Sequence, residues 1–139
     1  MLRLAQLSDR DELRRLLSQL TNCQEILSTK LAEILSRSDY QIWVYETKVD
    51  DANKLLATGT LYIEEKLTYG GRRVGHVEEV VVDKPSRGLG FGAMLVSKLV
   101  AEAKKKKCRK VLLNCSLTNE NFYIKLGFRQ NAVTMRLDL

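Results

Sequence analysis

One short stretch carries the clearest chemistry in this chain: Arg87-Gly88-Leu89-Gly90-Phe91-Gly92. It follows an apolar run ending in Val80-Val81-Val82 and precedes Leu95, Val96, Leu99, Val100 and Ala103, which share one helical face. The first N–H groups of a helix have no partner within it, so they bind phosphate oxygens. Glycines let the backbone approach a diphosphate without Cβ atoms in the way. Arg87 adds a charged fork at the mouth. The segment is therefore expected to cradle a pyrophosphate. Two common phosphate loops do not fit it. A P-loop needs Gly-Lys-Ser/Thr, whereas Gly92 is followed by Ala93-Met94. A dinucleotide-binding turn needs Gly-x-Gly-x-x-Gly directly after its strand; here the spacing is Gly-x-Gly-x-Gly and Pro85 intervenes.

The elements that must position this loop are legible from periodicity. Ser8 and Asp11 have the spacing of a capping box, and Leu13, Leu16, Leu17 and Leu20 make one helical face after them. Asn22 is the expected N-cap of a second helix carrying Leu27, Leu31, Ile34 and Leu35. Tyr40 to Thr47 reads as a strand, with Trp43 and Tyr45 on one face and Ile42 and Val44 on the other. A polar turn, Val49 to Asn53, leads into a second strand, Leu55 to Lys66, where Gly59 marks a bulge or a close backbone approach. Val74 to Val82 is a third strand. The glycine loop and its helix follow, then a short strand (Lys110 to Cys115) and a short helix (Asn119 to Leu126). Val133, Met135, Leu137 and Leu139 alternate as a final strand. The order is α-α-β-β-β-α-β-α-β, with room for a short strand before the first helix. At 139 residues one domain with one core is expected, spanning the chain from Met1 to Leu139.

This order resembles the GNAT acyl-CoA N-acetyltransferases, an α/β (α+β) fold with a mixed, mostly antiparallel sheet flanked by helices. Arg87-x-x-Gly90-x-Gly92 matches their Arg/Gln-x-x-Gly-x-Gly/Ala signature, and Asn119-Glu120-Asn121-Phe122-Tyr123-Ile124-Lys125-Leu126-Gly127-Phe128 resembles a second family segment. The resemblance implies acetyl-CoA as co-substrate. It implies that Val80, Val81, Val82, Arg87, Gly88, Leu89, Gly90, Phe91, Gly92, Ala93, Asn119, Tyr123 and Lys125 line the coenzyme site. The chemistry gives Tyr123 a use: a tyrosine O–H can donate to the departing thiolate, an effect of roughly 10²–10⁴-fold. Asn119 is also expected to cap its helix, and Phe122, Leu126 and Phe128 to be core.

Gly75-His76-Val77-Glu78-Glu79-Val80-Val81-Val82 resembles a strand of the glucosamine 6-phosphate N-acetyltransferases. Leu16-Leu17-Ser18-Gln19-Leu20-Thr21, Leu61 to Leu67 and Met135-Arg136-Leu137 agree with that family too. The resemblance implies acetyl transfer to the 2-amino group of glucosamine 6-phosphate, in a ternary complex. The product would be N-acetylglucosamine 6-phosphate for UDP-GlcNAc synthesis. It also implies a homodimer with the acceptor at its interface. Glu78 and Glu79 would face the sugar, and a strand bulge would turn a backbone N–H, that of Val80, toward the thioester carbonyl. Thr21, Lys66, Arg72 and Arg73 would bind the acceptor, its phosphate above all; the sequence does not rank Arg72 against Arg73. Asn114 stands where relatives carry an acid. Its side chain can only orient an amine, so either its backbone carbonyl does the work or the base lies elsewhere, with Glu78 or Glu79 acting through water as the candidate.

Composition narrows the alternatives. Lys+Arg number 23 against 17 Asp+Glu, a net charge of +6 that fits two phosphorylated substrates. No apolar run reaches the roughly 18 residues of a membrane span, and the N-terminus lacks a secretory apolar block. One histidine and three scattered cysteines offer no metal-ligand spacing, and a metal-free, cytoplasmic protein is expected. Cys115 is expected to be a buried core residue rather than an acyl-carrying nucleophile, and His76 to be structural. Lys104 to Lys107 sits at a helix C-terminus, where cations complement the helix dipole, and it lacks the interleaved aromatics of a nucleic-acid patch. Two competing functions remain: acetylation of another amine, such as a protein N-terminus or a polyamine, and non-catalytic binding of acyl-CoA.

Overall fold

The computed structural model describes all residues, Met1–Leu139. Five strands form one sheet in the order β1-β2-β3-β4-β5: β1 (Leu2–Leu4), β2 (Tyr40–Val49), β3 (Ala52–Glu64), β4 (Val74–Val82) and β5 (Lys110–Leu112). Every neighbouring pair is antiparallel except β4 and β5, which run parallel. The helices are α1 (Arg10–Leu17), α2 (Ser28–Leu35), α3 (Phe91–Lys105) and α4 (Glu120–Lys125). This is the mixed, mostly antiparallel GNAT-type sheet that the sequence resemblance implied, including the short N-terminal strand. No helix is long and apolar enough to cross a membrane.

Helices cover both faces of the sheet. On one, Leu13 and Leu16 of α1 and Leu31 of α2 pack on Val44, Leu55 and Val81. On the other, Leu99 and Ala103 of α3 pack on Leu61, Ile63 and Val77. Ile42 and Trp43 go to opposite sides, as the alternation of β2 requires. The β2–β3 hairpin turns on Asp50 and Asp51, both with positive φ (49° and 61°). That left-handed pair matches the twist of the two strands.

Four expectations about element ends change. The capping box is made by Gln6 and Asp9, whose carboxylate accepts the Gln6 N–H at 2.7 Å; Ser8 and Asp11 are not its members. Asn22 caps nothing. Residues 21–27 stay non-helical so that Ile26 can pack on the α1 side of the core, and α2 starts at Ser28. β5 stops at Leu112 because β4, its partner, reaches a bulge just beyond the paired His76. The alternating tail Val133 to Leu139 forms no strand; Val133, Met135 and Leu137 are 84–87% exposed. Alternation encodes an amphipathic face, but a strand also needs a partner edge. Here a cavity of about 530 Å³ lies between residues 111–117 and the chain at 128–134.

Candidate active site

The β4 bulge organises the site. Thr58 pairs with Val81 and Thr60 with Glu78, so Gly59 alone faces two residues, Glu79 and Val80. Glu79 absorbs the extra residue at φ 51°, a left-handed conformation uncommon outside glycine. Strand parity therefore inverts. Val77 and Val80 both lie against the α3 cluster, while Val81 joins the α1 cluster. Regular alternation would have put Glu79 under α3. Instead it borders a second cavity of about 220 Å³ with Leu17, Ile26, Tyr40 and Ile42. Gly59 is glycine for packing: a Cβ there would sit 3.1 Å from Leu95 and 3.2 Å from Leu99.

The glycine loop opens α3. Gly88 and Gly90 have φ of 79° and 88°, with open space where a Cβ would be, so the loop keeps an uncluttered backbone surface. Gly92 is different. A Cβ there would meet Phe122 at 3.3 Å and Val82 at 3.4 Å, so this glycine lets α4 close on α3. Arg87 is anchored by its Nε donating to the Val82 carbonyl (3.1 Å).

A cavity of about 440 Å³ joins these parts. Val80, Val81 and Val82 form one wall, Arg87, Gly88, Gly90, Phe91, Gly92 and Ala93 the floor, and Asn119 and Tyr123 the far side. Leu89 points outward, 69% exposed, and Lys125 is exposed on α4; neither borders the cavity. Asn119 makes no capping bond to its helix, contrary to expectation, and its side chain stays available to the cavity. Phe122 is at the surface boundary rather than core, because it forms part of the cavity wall.

Tyr123 borders both this cavity and the groove beneath the C-terminal segment, where Asn114 and Cys115 also lie. It packs edge-on against Phe122 and Phe128. Burial pushes its phenol above the ordinary value, and Cys115 adds to the shift. Cys115 is exposed, not core as expected, because β5 ends three residues earlier and the chain there lines an open groove.

The acceptor-side residues do not share one cavity. Glu79 stays accessible at the rim of its cavity, yet the surrounding apolar wall pushes its carboxyl up, and Glu78 adds to this. Tyr40 borders the same cavity as Glu79, and its phenol is raised by burial and then by both carboxylates. Asn114 accepts a hydrogen bond from Thr134 Oγ1 (2.7 Å), a tie between β5's extension and the tail. Thr21 is exposed just beyond α1. Lys66 pairs with Glu64, which also bonds His76 Nε2 at 3.1 Å, a structural role for that histidine. Arg73 is engaged by Glu65 at 2.8 Å. Arg72 has no ion-pair partner and is exposed, which separates two residues that sequence could not.

Sequence reasoning missed Gln19, Leu20, Ser86 and Asp83. Gln19, Leu20 and Ser86 border the cradle cavity. Asp83 is 3% exposed and receives hydrogen bonds from Arg15 and Gln19 at 2.7 Å each. Nothing in their spacing marks them, since their partners are 64 to 68 residues away. Burial pushes the Asp83 carboxyl up, but Gln19, Arg15 and Lys54 together outweigh it and hold it at about 2. Against an unfolded value of 3.8, the folded group is the stronger acid. Its contribution is full above the unfolded value and is lost as pH falls through about 2. Acid titration should therefore show Asp83→Asn losing less stability than wild type between those values, by on the order of 2 kcal/mol. Equal acid sensitivity in the two proteins by chemical denaturation would remove this role.

A family model described as Acetyltransferase (GNAT) family matches residues 8–128. The chain is 39% identical over 127 residues to a probable glucosamine 6-phosphate N-acetyltransferase 2 of Oryza sativa subsp. japonica, covering 88% of this chain and 76% of that one. It is 38% identical to the glucosamine 6-phosphate N-acetyltransferase of Trypanosoma brucei brucei, over 99% and 95% of the two chains. Among solved structures, glucosamine-6-phosphate N-acetyltransferase from Arabidopsis thaliana superposes with a TM-score of 0.92 at 33% identity, over 99% and 97% of the chains.

Proposed function

This chain belongs to the acetyltransferase (GNAT) family, and we propose that it transfers acetyl from acetyl-CoA to the 2-amino group of glucosamine 6-phosphate. The product, N-acetylglucosamine 6-phosphate, supplies UDP-GlcNAc synthesis. The observation that carries the reading is the single cavity joining the β4 bulge, the glycine loop and Tyr123. It occurs in a chain 38% identical to a glucosamine 6-phosphate N-acetyltransferase along nearly its whole length.

Acetyl-CoA brings an activated thioester. The residues fit it: two positive-φ glycines leave the loop backbone open, Arg87 stands beside them, and the first residues of α3, whose N–H groups have no partner within the helix, border the same cavity. Leu89 and Lys125 do not border this cavity, and their places in the coenzyme set rest on the sequence resemblance. The bulge interrupts the ladder at Val80, and its N–H is assigned to the thioester oxygen. Tyr123 holds a proton for the departing sulfur. Glu79, its carboxyl raised by burial and Glu78, accepts the amine proton through water, while Glu78 and Asn114 orient the sugar.

Arg72, with Thr21, is assigned to the phosphate, and Lys66 joins them by exchanging its Glu64 partner. Arg72→Ala should raise the KM for glucosamine 6-phosphate by about 10–100-fold, the worth of a hydrogen bond to a charged group. Arg73→Ala should do less, because that guanidinium already serves Glu65. Steady-state kinetics against both substrates checks this; an equal rise in the KM for acetyl-CoA would mean general damage.

We take the enzyme to act as a cytoplasmic homodimer with the acceptor at the interface. The tail supports the dimer: Val133, Met135 and Leu137 expose an apolar face, and β5 is an open sheet edge. The deciding experiment follows thiol release from acetyl-CoA with glucosamine 6-phosphate, glucosamine, polyamines and peptides in parallel. Turnover is expected with the phosphosugar and to fall sharply without its phosphate. No turnover there, beside brisk turnover of another amine, would overturn the reading.

A further inference from the structure

Asp83 lies between the last residue of β4 and the glycine loop, and it is a charged group buried in the fold. Its Oδ1 takes hydrogen bonds from Arg15 Nη1 and Gln19 Nε2, both at 2.7 Å. Its Oδ2 makes no hydrogen bond, and Lys54 Nζ stands 3.3 Å away as an ion-pair partner. Arg15 is itself fixed: it donates to both Glu12 oxygens (2.7 and 2.9 Å) and to the Leu55 carbonyl (2.7 Å). Glu12 in turn accepts the Leu55 N–H at 2.9 Å. These bonds tie α1 to β3 and to the start of the loop.

Gln19, just past the end of α1, completes the clamp. While its amide nitrogen donates to Asp83, its Oε1 accepts the backbone N–H of Lys84 at 2.9 Å. One side chain thus grips two successive residues at the loop entrance. Gln19 also borders the cradle cavity with Arg87, Gly88 and Gly90. A hydrophobic side chain would serve stability at least as well as a buried charge network. What the network supplies is a fixed position for the backbone that leads into the cradle.

We propose that Gln19, acting through Asp83 and the Lys84 N–H, is a positioning residue for the coenzyme A pyrophosphate. It holds the loop so that the glycine backbone presents its N–H groups to the phosphates. The inference rests on the acetyltransferase reading above and adds to it a residue outside the glycine motif.

The test measures binding of coenzyme A alone by calorimetry, with acetyl-CoA kinetics beside it. Gln19→Met keeps the side chain's length and removes both hydrogen bonds. It should weaken coenzyme A binding and raise the KM for acetyl-CoA by about tenfold, the worth of one to two hydrogen bonds, with kcat and the acceptor KM near wild type. Gln19→Glu should be as poor, since it faces Asp83 with like charge. A merely structural Gln19 would lower the denaturation midpoint without this split. Unchanged coenzyme A affinity in folded Gln19→Met overturns the inference. Wild-type protein that binds no coenzyme A overturns the acetyltransferase reading, and this inference with it.

Discussion

Tyr123→Phe is expected to lower kcat by about 10²–10⁴-fold, with the KM for acetyl-CoA close to wild type. The size follows from what the substitution removes. Phenylalanine keeps the ring that packs between Phe122 and Phe128, so cavity shape and coenzyme affinity should persist. Only the O–H is lost. Burial and the neighbouring Cys115 keep that phenol above its ordinary value, so at neutral pH it is a proton donor and not a phenolate. An acid of this kind makes kcat fall as pH rises through its own titration. The phenylalanine variant should lack that alkaline limb as well as most of the rate. The measurement is steady-state kinetics from neutral to alkaline pH. Wild-type kcat in the variant would end the general-acid assignment.

Glu79→Gln is the second large effect, expected to cut kcat/KM by about 10²-fold or more if the carboxylate takes the amine proton. Glu79 sits at the inverted point of β4, held at φ 51°. Burial first, then the charge of Glu78, raises its carboxyl, which moves a base toward neutral pH. A base must be ionised to act, so activity should rise with pH through this raised value, and the glutamine variant should lack that acid limb. The stability sign is opposite. A carboxyl raised on folding contributes stability that is present below the unfolded value and lost as pH rises through the folded one. At neutral pH, therefore, Glu79→Gln should leave the thermal midpoint unchanged or higher. A lost rate with a preserved midpoint separates catalysis from folding. Glu78→Gln, which keeps the base and removes a group that orients the sugar, should cost less. An unaltered pH profile in Glu79→Gln would return the base to another group.

Some of the molecule was legible because its signals are local. β4 runs from Val74 to Val82, as its apolar pattern predicts, and α3 begins within the glycine loop, where its apolar stripe places it. The cradle set met in one cavity for the same reason: most of it lies on consecutive residues, so placing one places the next. What was not legible is non-local. Leu89 and Lys125 fall within matching segments, yet their side chains are exposed, because a motif fixes residue order and not the direction of each side chain. Asn22 and Ser8 had capping chemistry, yet Ile26 and Asp9 found better partners. Cys115 lies in an apolar run, but its strand ends before reaching it.

By itself, then, the sequence determined most of the elements, the glycine loop that opens α3 and the family, all of which are written in residue type and short-range spacing. Tertiary structure alone decided three things. It set which face Glu79 and Val80 occupy, since one inserted residue opposite Gly59 inverts strand parity. It left Arg72 free while engaging Arg73, because ion pairing depends on where Glu65 lies in space. It left the amphipathic tail without a partner, since a strand's alternation names the face to be covered and not the edge that covers it.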